Sequence, residues 1–237
     1  MPLTLRPKRL ASEPVLLTLI MLSSALSWGF FRTAETMRSG AAGEFDRRVV
    51  LALRTPGDPA DPLGPAWVEE MMRDFTALGG IAVVALVSVV AVTFLWLVKR
   101  RWEAAFVALA ILGAIGFSLA LKNAFDRPRP ELVPHGSHVY TASFPSGHAM
   151  MAACVYLTIA ATLARFTTRG VIKAFLLSTA TLATVAVGAS RVYLGVHWPT
   201  DVLAGWTAGA AWALACWMLE RLLRPKRAVP ETPAARA

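Results

Sequence analysis

Charge is scarce in this chain. Only 16% of its 237 residues are Asp, Glu, Lys or Arg, while 56% are hydrophobic, and mean hydropathy is +0.53. A soluble domain carries about a quarter charged residues, so the polar surface needed to face water is missing. Cysteine is nearly absent too. Cys154 and Cys216 each lie inside an apolar stretch and lack metal-ligand spacing; they read as buried thiols acting as small hydrophobes. No alternating strand pattern runs through the apolar regions, which leaves helices as the way to satisfy backbone groups in lipid. Acidic residues are the rarer charge, 15 against 24 basic, for a net charge of +9. That excess does not point to nucleic acid, because most cations sit at the ends of apolar segments, where positive-inside bias places them.

What is present is six apolar segments, at about 15–31, 76–98, 104–121, 149–164, 174–189 and 202–219. Each approaches the ~20 residues that a spanning helix requires, and eight Trp suit the aromatic belts at membrane boundaries. The expected fold is all-α, a polytopic membrane bundle of six transmembrane helices. One membrane domain is expected over 15–224, between a basic N-terminal stretch at 1–14 and a polar, disordered tail at 225–237. The first segment has the basic start of a signal peptide (Arg6, Lys8, Arg9) but runs on through Trp28 and Phe31 with a poor cleavage signal, so it is expected to be retained.

Orientation follows from the loops. Six alternating helices put Arg6, Lys8 and Arg9, then Lys99, Arg100 and Arg101, then Arg165, Arg169 and Lys173, then Arg221, Arg224, Lys226 and Arg227 on one side. By the positive-inside rule that side is the cytoplasm, with both termini in it. Connections 32–75, 122–148 and 190–201 then face outward. In the first, the stretch from Arg54 to Pro62 reads as turns between two short helices. Pro65 is placed to open the second, with Trp67, Met71, Phe75 and Leu78 on one face. That helix lies on the membrane surface or packs as a lid; both readings stay open.

The other two outward connections hold nearly all the unusual residues: Lys122, Arg127, Arg129 and Pro130; Pro145-Ser146-Gly147-His148; and Ser190-Arg191 followed by His197 and Asp201. Lys122, Arg129 and Arg191 supply positive charge, and guanidinium forks suit phosphate oxygens. Ser146 and Gly147 stand where a helix begins, a place that favours an anion. His197 and Asp201 are four apart, so one helical turn can bring the carboxylate to the imidazole and fix its tautomer. His148 supplies a second imidazole. A nucleophile, an acid and a cationic cradle make a phosphoryl-transfer site. Taken singly, each part has a plainer reading, as snorkelling anchor, helix cap or structural His; three motifs on one face in order are not explained that way.

Lys122-x6-Arg129-Pro130, Pro145-Ser146-Gly147-His148 and Ser190-Arg191-x5-His197-x3-Asp201 together resemble the type 2 phosphatidic acid phosphatase superfamily, in its integral-membrane branch. The resemblance implies that His197 attacks phosphorus to form a phosphohistidine, with Asp201 orienting it. His148 would protonate the leaving oxygen and then activate water. Lys122, Arg129, Arg191, Ser146 and Gly147 would hold the phosphate oxygens, with Arg127 a further candidate outside the strict pattern. No metal or cofactor is implied; His135 and His138 have a His-x-x-His spacing without a completing ligand set and are expected to be loop residues. The implied substrate is a membrane lipid phosphate or diphosphate of the polyprenyl diphosphate, phosphatidate or phosphatidylglycerophosphate class. A lipid phosphotransferase on the same site is the alternative. A haloperoxidase or a non-catalytic transporter fits less well, given the membrane segments and the complete His-His-Asp set.

Overall fold

The computed structural model describes residues 13–125, 127–130 and 142–223. The basic N-terminal stretch, His135 and His138, and the 225–237 tail lie outside the described residues. Helix α1 (Glu13–Arg38) is followed by a connecting segment of α2 (Gly43–Ala52), a two-stranded antiparallel hairpin of β1 (Arg54–Thr55) and β2 (Asp58–Pro62), and α3 (Ala66–Ala77). Then come α4 (Ile81–Leu97), α5 (Arg101–Ala124), α6 (Gly147–Leu163), α7 (Gly170–Tyr193) and α8 (Pro199–Leu223). Each of the six apolar segments is helical, and the all-α membrane architecture holds.

Length and composition alone support four or five of the six expected spans among the described residues. Among the described residues four helices, α5 to α8, are long and apolar enough to cross a membrane, α6 together with the short 3₁₀ turn Ala164–Phe166 that continues it. A fifth appears if α3 and α4 count as one span bent by 49°. The apolar segment 76–98 is helical in two pieces: it breaks at residues 78–80, where the N–H groups of Leu78, Gly79 and Gly80 form tight bonds to Phe75, Thr76 and Ala77 carbonyls. Pro65 is the N-cap of α3. α3 packs against α7 as a cover, with Met71, Phe75 and Leu78 half-buried and Trp67 66% exposed.

The most enclosed of these helices is α6, which packs against α4, α5, α7 and α8, while α1 leans on α8. Outward faces carry Leu86, Val89, Phe94, Leu109, Leu112, Phe175 and Leu182, a surface suited to acyl chains rather than water. The basic turns meet at one end: Arg100 stacks over Phe166 at 4.9 Å, and Arg165 pairs with buried Glu220 at 2.5 Å. At the opposite end Phe144 is fully buried between Phe30 of α1 and Phe125, with ring centroids 5.9 and 4.9 Å away. That aromatic cluster ties α1 to the turn that opens α6.

The α6–α8 crossing is the closest structural dependency. A Cβ added at Gly205 would lie 2.7 Å from the Ser146 carbonyl oxygen, and one at Gly209 2.6 Å from the Met150 carbonyl oxygen. Glycines four apart therefore let the two backbones meet, as small residues do between membrane helices. Gly209→Val should force the helices apart and cost about 1–3 kcal/mol. Thermal unfolding in detergent checks this; an unchanged midpoint would contradict the close crossing.

Candidate active site

The three sequence motifs converge at the end opposite the basic turns. His197 lies in the short link between α7 and α8, 1% exposed, and Asp201 in the first turn of α8 is fully buried. The imidazole Nδ1 stands 3.4 Å from Asp201 Oδ2, a long approach for a hydrogen bond. Asp201 Oδ2 also accepts from the Ser143 hydroxyl and, at 3.0 Å, from the Trp198 N–H. On the other ring nitrogen, Nε2 faces Arg129 Nη1 at 3.1 Å, and that guanidinium also donates to the Val196 carbonyl at 2.8 Å. This network assigns the proton to Nδ1 and leaves the Nε2 lone pair pointing into the cation cluster.

The second motif is held against the third through the backbone. The Ser146 N–H donates to the Asp201 carbonyl at 2.9 Å, so this amide is spent on the fold and not left for an anion. The α6 ladder starts with Met150 N–H to Ser146 at 3.0 Å, so the amides of 147–149 precede it. The Ser146 hydroxyl is buried with no partner among the described residues. A Cβ at Gly147 would press to 3.1 Å from Lys122 Cε; glycine lets the lysine stem cross the helix start. Lys122 Nζ donates to the Ala142 carbonyl at 3.3 Å. His148, half-buried, is within electrostatic range of Arg191, His197, Lys122 and Arg129.

Arg191 closes the set from the last turn of α7. It is buried, gives Nη1 to Thr76 Oγ1 at 3.0 Å, and leaves Nε without a partner among the described residues. Lys122, Arg129 and Arg191 lie within range of one another's charge, and the Asp201 carboxylate is within range of Lys122 and Arg129. Such a concentration of buried and half-buried positive charge, with unspent donors on Ser146 and Arg191, suits an anion with several oxygens. Among the described residues no three of His, Cys, Asp and Glu gather as a metal-ligand set.

Arg127 behaves differently from the other cations. Its Nη1 donates to Asp201 Oδ1 at 2.6 Å and to Thr200 Oγ1 at 2.8 Å, while Nη2 reaches Asp46 Oδ2 at 2.7 Å. The guanidinium is held by two carboxylates. Four residues here were not singled out from the sequence: Ser143, Thr200, Asp46 and Thr76. Ser143 and Thr200 flank motif residues, which is a weak signal. Asp46 and Thr76 belong to the connecting segment that follows α1, and no local pattern marks either.

Burial pushes the His197 pKa down from its ordinary 6.5 to about 4; the hydrogen bond to Asp201 opposes the fall, and Arg129 and Arg191 add to it. Burial likewise lowers Arg129, partly offset by Asp201. His197 is therefore neutral at pH 7. The unfolded chain takes up its proton near 6.5 and the folded one only near 4, so His197 costs no stability above 6.5 and a growing amount as pH falls through that window. The thermal midpoint of the wild type should fall more steeply between pH 6.5 and 4 than that of His197→Asn. Parallel profiles would contradict a buried neutral imidazole.

Comparison with known proteins agrees with this layout. The model of the PAP2 superfamily matches residues 103–224, half of the chain. The chain is 35% identical over 146 residues to phosphatidylglycerophosphatase B of Bacillus subtilis, covering 60% of this chain and 70% of that protein. It is 41% identical over 69 residues to an undecaprenyl-diphosphatase of Sulfolobus acidocaldarius, 29% of each. In structure it is similar to a transmembrane PAP2 type phosphatidylglycerolphosphate phosphatase from Bacillus subtilis, with TM-score 0.77 and 28% identity over 86% of this chain and 98% of that one. The matched region carries every motif residue from Lys122 to Asp201, and the chain belongs to the PAP2 superfamily, among its integral-membrane lipid phosphatases.

Proposed function

We propose that the enzyme hydrolyses the phosphate or diphosphate of a membrane lipid through a phosphohistidine on His197. The observation that carries this reading is the pair of buried donors without partners, Ser146 Oγ and Arg191 Nε, in a site already holding Lys122 and Arg129 around the Nε2 face of His197. A buried donor left unpaired costs about 1–3 kcal/mol, and a phosphate supplies the missing acceptors.

In the first step the His197 Nε2 lone pair attacks phosphorus as the bond to the leaving oxygen breaks. Protonated His148 gives that oxygen its proton, and Lys122, Arg129, Arg191, Ser146 and the Gly147 amide bear the charge on the remaining oxygens. Asp201 stabilises the ring, which turns positive as the N–P bond forms. In the second step His148, now neutral, takes a proton from water, whose oxygen attacks phosphorus and releases His197. Three cations supply the charge that a metal would otherwise bring, so the reading requires none. Arg127, held by Asp46 and Asp201, has no part in binding the phosphate.

A lipid substrate follows from placement. The site lies at helix ends, at head-group depth, so a tail can stay in the bilayer while its phosphate enters. The relatives named for phosphatidylglycerophosphate and undecaprenyl diphosphate support a substrate of that kind, and phosphatidate shares the same chemistry. For topology we propose six spans, with α1 and the bent α3–α4 pair added to α5 to α8. The 1–14 and 225–237 stretches are then cytoplasmic and the site extracytoplasmic, a reading supported by the gathering of basic turns at the far end.

Two experiments test this. Purified enzyme mixed with lipid carrying ³²P in its terminal phosphate and quenched in alkali should yield a labelled, acid-labile phosphoprotein, insensitive to EDTA. His197→Ala should give no label and lose about 10³-fold or more in turnover; near-normal turnover in that variant would sink the mechanism. For orientation, Ala60→Cys should react with an impermeant thiol reagent from outside and Arg169→Cys should not, in a background lacking Cys154 and Cys216. Labelling of Arg169→Cys alone would invert the topology.

A further inference from the structure

The outward segment after α1 reaches the site at a point with no part in holding phosphate. Asp46 in α2 is completely buried although it is charged and belongs to a connecting segment. Its Oδ1 accepts the Thr200 N–H at 3.0 Å, and its Oδ2 accepts the Thr200 hydroxyl at 2.6 Å and Arg127 Nη2 at 2.7 Å. Arg127 in turn donates from Nη1 to Asp201 Oδ1 at 2.6 Å and to Thr200 Oγ1 at 2.8 Å. One guanidinium therefore bridges two buried carboxylates, and a single threonine is clamped between them.

We infer that Asp46 is a positioning residue for the nucleophile, acting through Arg127 and Asp201. This rests on the reading that His197 attacks phosphorus. Geometry makes the first half of the case. Asp201 has two oxygens with separate duties: Oδ1 is tied to Arg127, and Oδ2 faces His197 Nδ1. A guanidinium is planar, so fixing Nη2 on Asp46 fixes the plane from which Nη1 grips Oδ1. With Oδ1 held, rotation of the carboxylate is stopped and Oδ2 stays on the imidazole.

Charge makes the second half. Arg127 alone beside Asp201 would cancel the negative charge that must face the ring once the N–P bond makes it positive. Asp46 offsets the guanidinium, so the group of three keeps one net negative charge in a buried place where charges interact strongly. Asp46 touches neither the imidazole nor the cation cluster that binds phosphate. Its effect should therefore fall on kcat and spare KM.

The test is a kinetic cycle in detergent micelles with phosphatidate as the substrate, comparing wild type, Asp46→Asn, Asp201→Asn and the double variant. Asp46→Asn should lower kcat by about 10–100-fold, by analogy with the loss when an outer hydrogen-bond partner of a metal-ligating His is removed, with KM within about twofold. In the Asp201→Asn background it should produce little further loss, because residues acting through one another are not additive. A fold-stabilising role alone would reduce the amount of active protein and multiply with Asp201→Asn. Wild-type kcat in Asp46→Asn, or a multiplicative double variant, overturns the inference. If Asp46→Asn does not accumulate folded, Arg127→Lys carries the same test: it keeps the positive charge but loses the planar fork that bridges the two carboxylates, and wild-type kcat there is equally fatal. Failure of the His197 reading would look different, since Asp201→Asn itself would then remain near wild type.

Discussion

The buried carboxylate of Asp201 is the group on which the rest of the site depends. It receives Arg127 on one oxygen and Ser143, Trp198 N–H and His197 on the other, while its own carbonyl takes the Ser146 N–H. Burying an anion without partners is prohibitively costly, so every element that supplies one of these donors is drawn to the same point. The link between α7 and α8, the turn opening α6 and the chain after α5 all meet there. Folding and catalysis thus share one electrostatic requirement.

Packing sets how closely that requirement is met. Gly205 and Gly209 let α8 lie directly on α6, which places the start of α6 one backbone hydrogen bond from the start of α8. The aromatic cluster of Phe30, Phe125 and Phe144 holds the same turn from the α1 side. The cation cluster can then gather at helix ends. Polar groups sit at one end of an apolar bundle without exposing charge to the acyl region, where it would be expensive.

Much of this was legible in the sequence because the responsible residues are close together in it. The apolar runs announce their helices, and Lys122, Arg129, Ser146, Gly147, His148, Arg191, His197 and Asp201 fall in three short motifs that alternation of the helices brings to one face. What could not be read depends on tertiary contact. Asp46 lies 81 residues before Arg127 and Thr76 115 before Arg191, in a segment whose local pattern says only turns and short helices. The break between α3 and α4 was also hidden: Gly79 and Gly80 sit in an otherwise continuous apolar run, and it is the docking of α3 on α7 that bends the chain there. The charge of Arg127 is visible in the sequence, whereas its carboxylate partners Asp46 and Asp201 are brought to it only by the fold.

The central claim is that phosphate passes through a covalent bond to His197, and stereochemistry at phosphorus reports on this directly. A lipid phosphate made chiral with ¹⁶O, ¹⁷O and sulfur on the transferred phosphorus can be hydrolysed in H₂¹⁸O and the thiophosphate product analysed by ³¹P NMR. Two in-line displacements, first by His197 Nε2 and then by water, invert the centre twice and predict overall retention. Net inversion would mean that water attacks the lipid phosphate in one step, and would contradict the account.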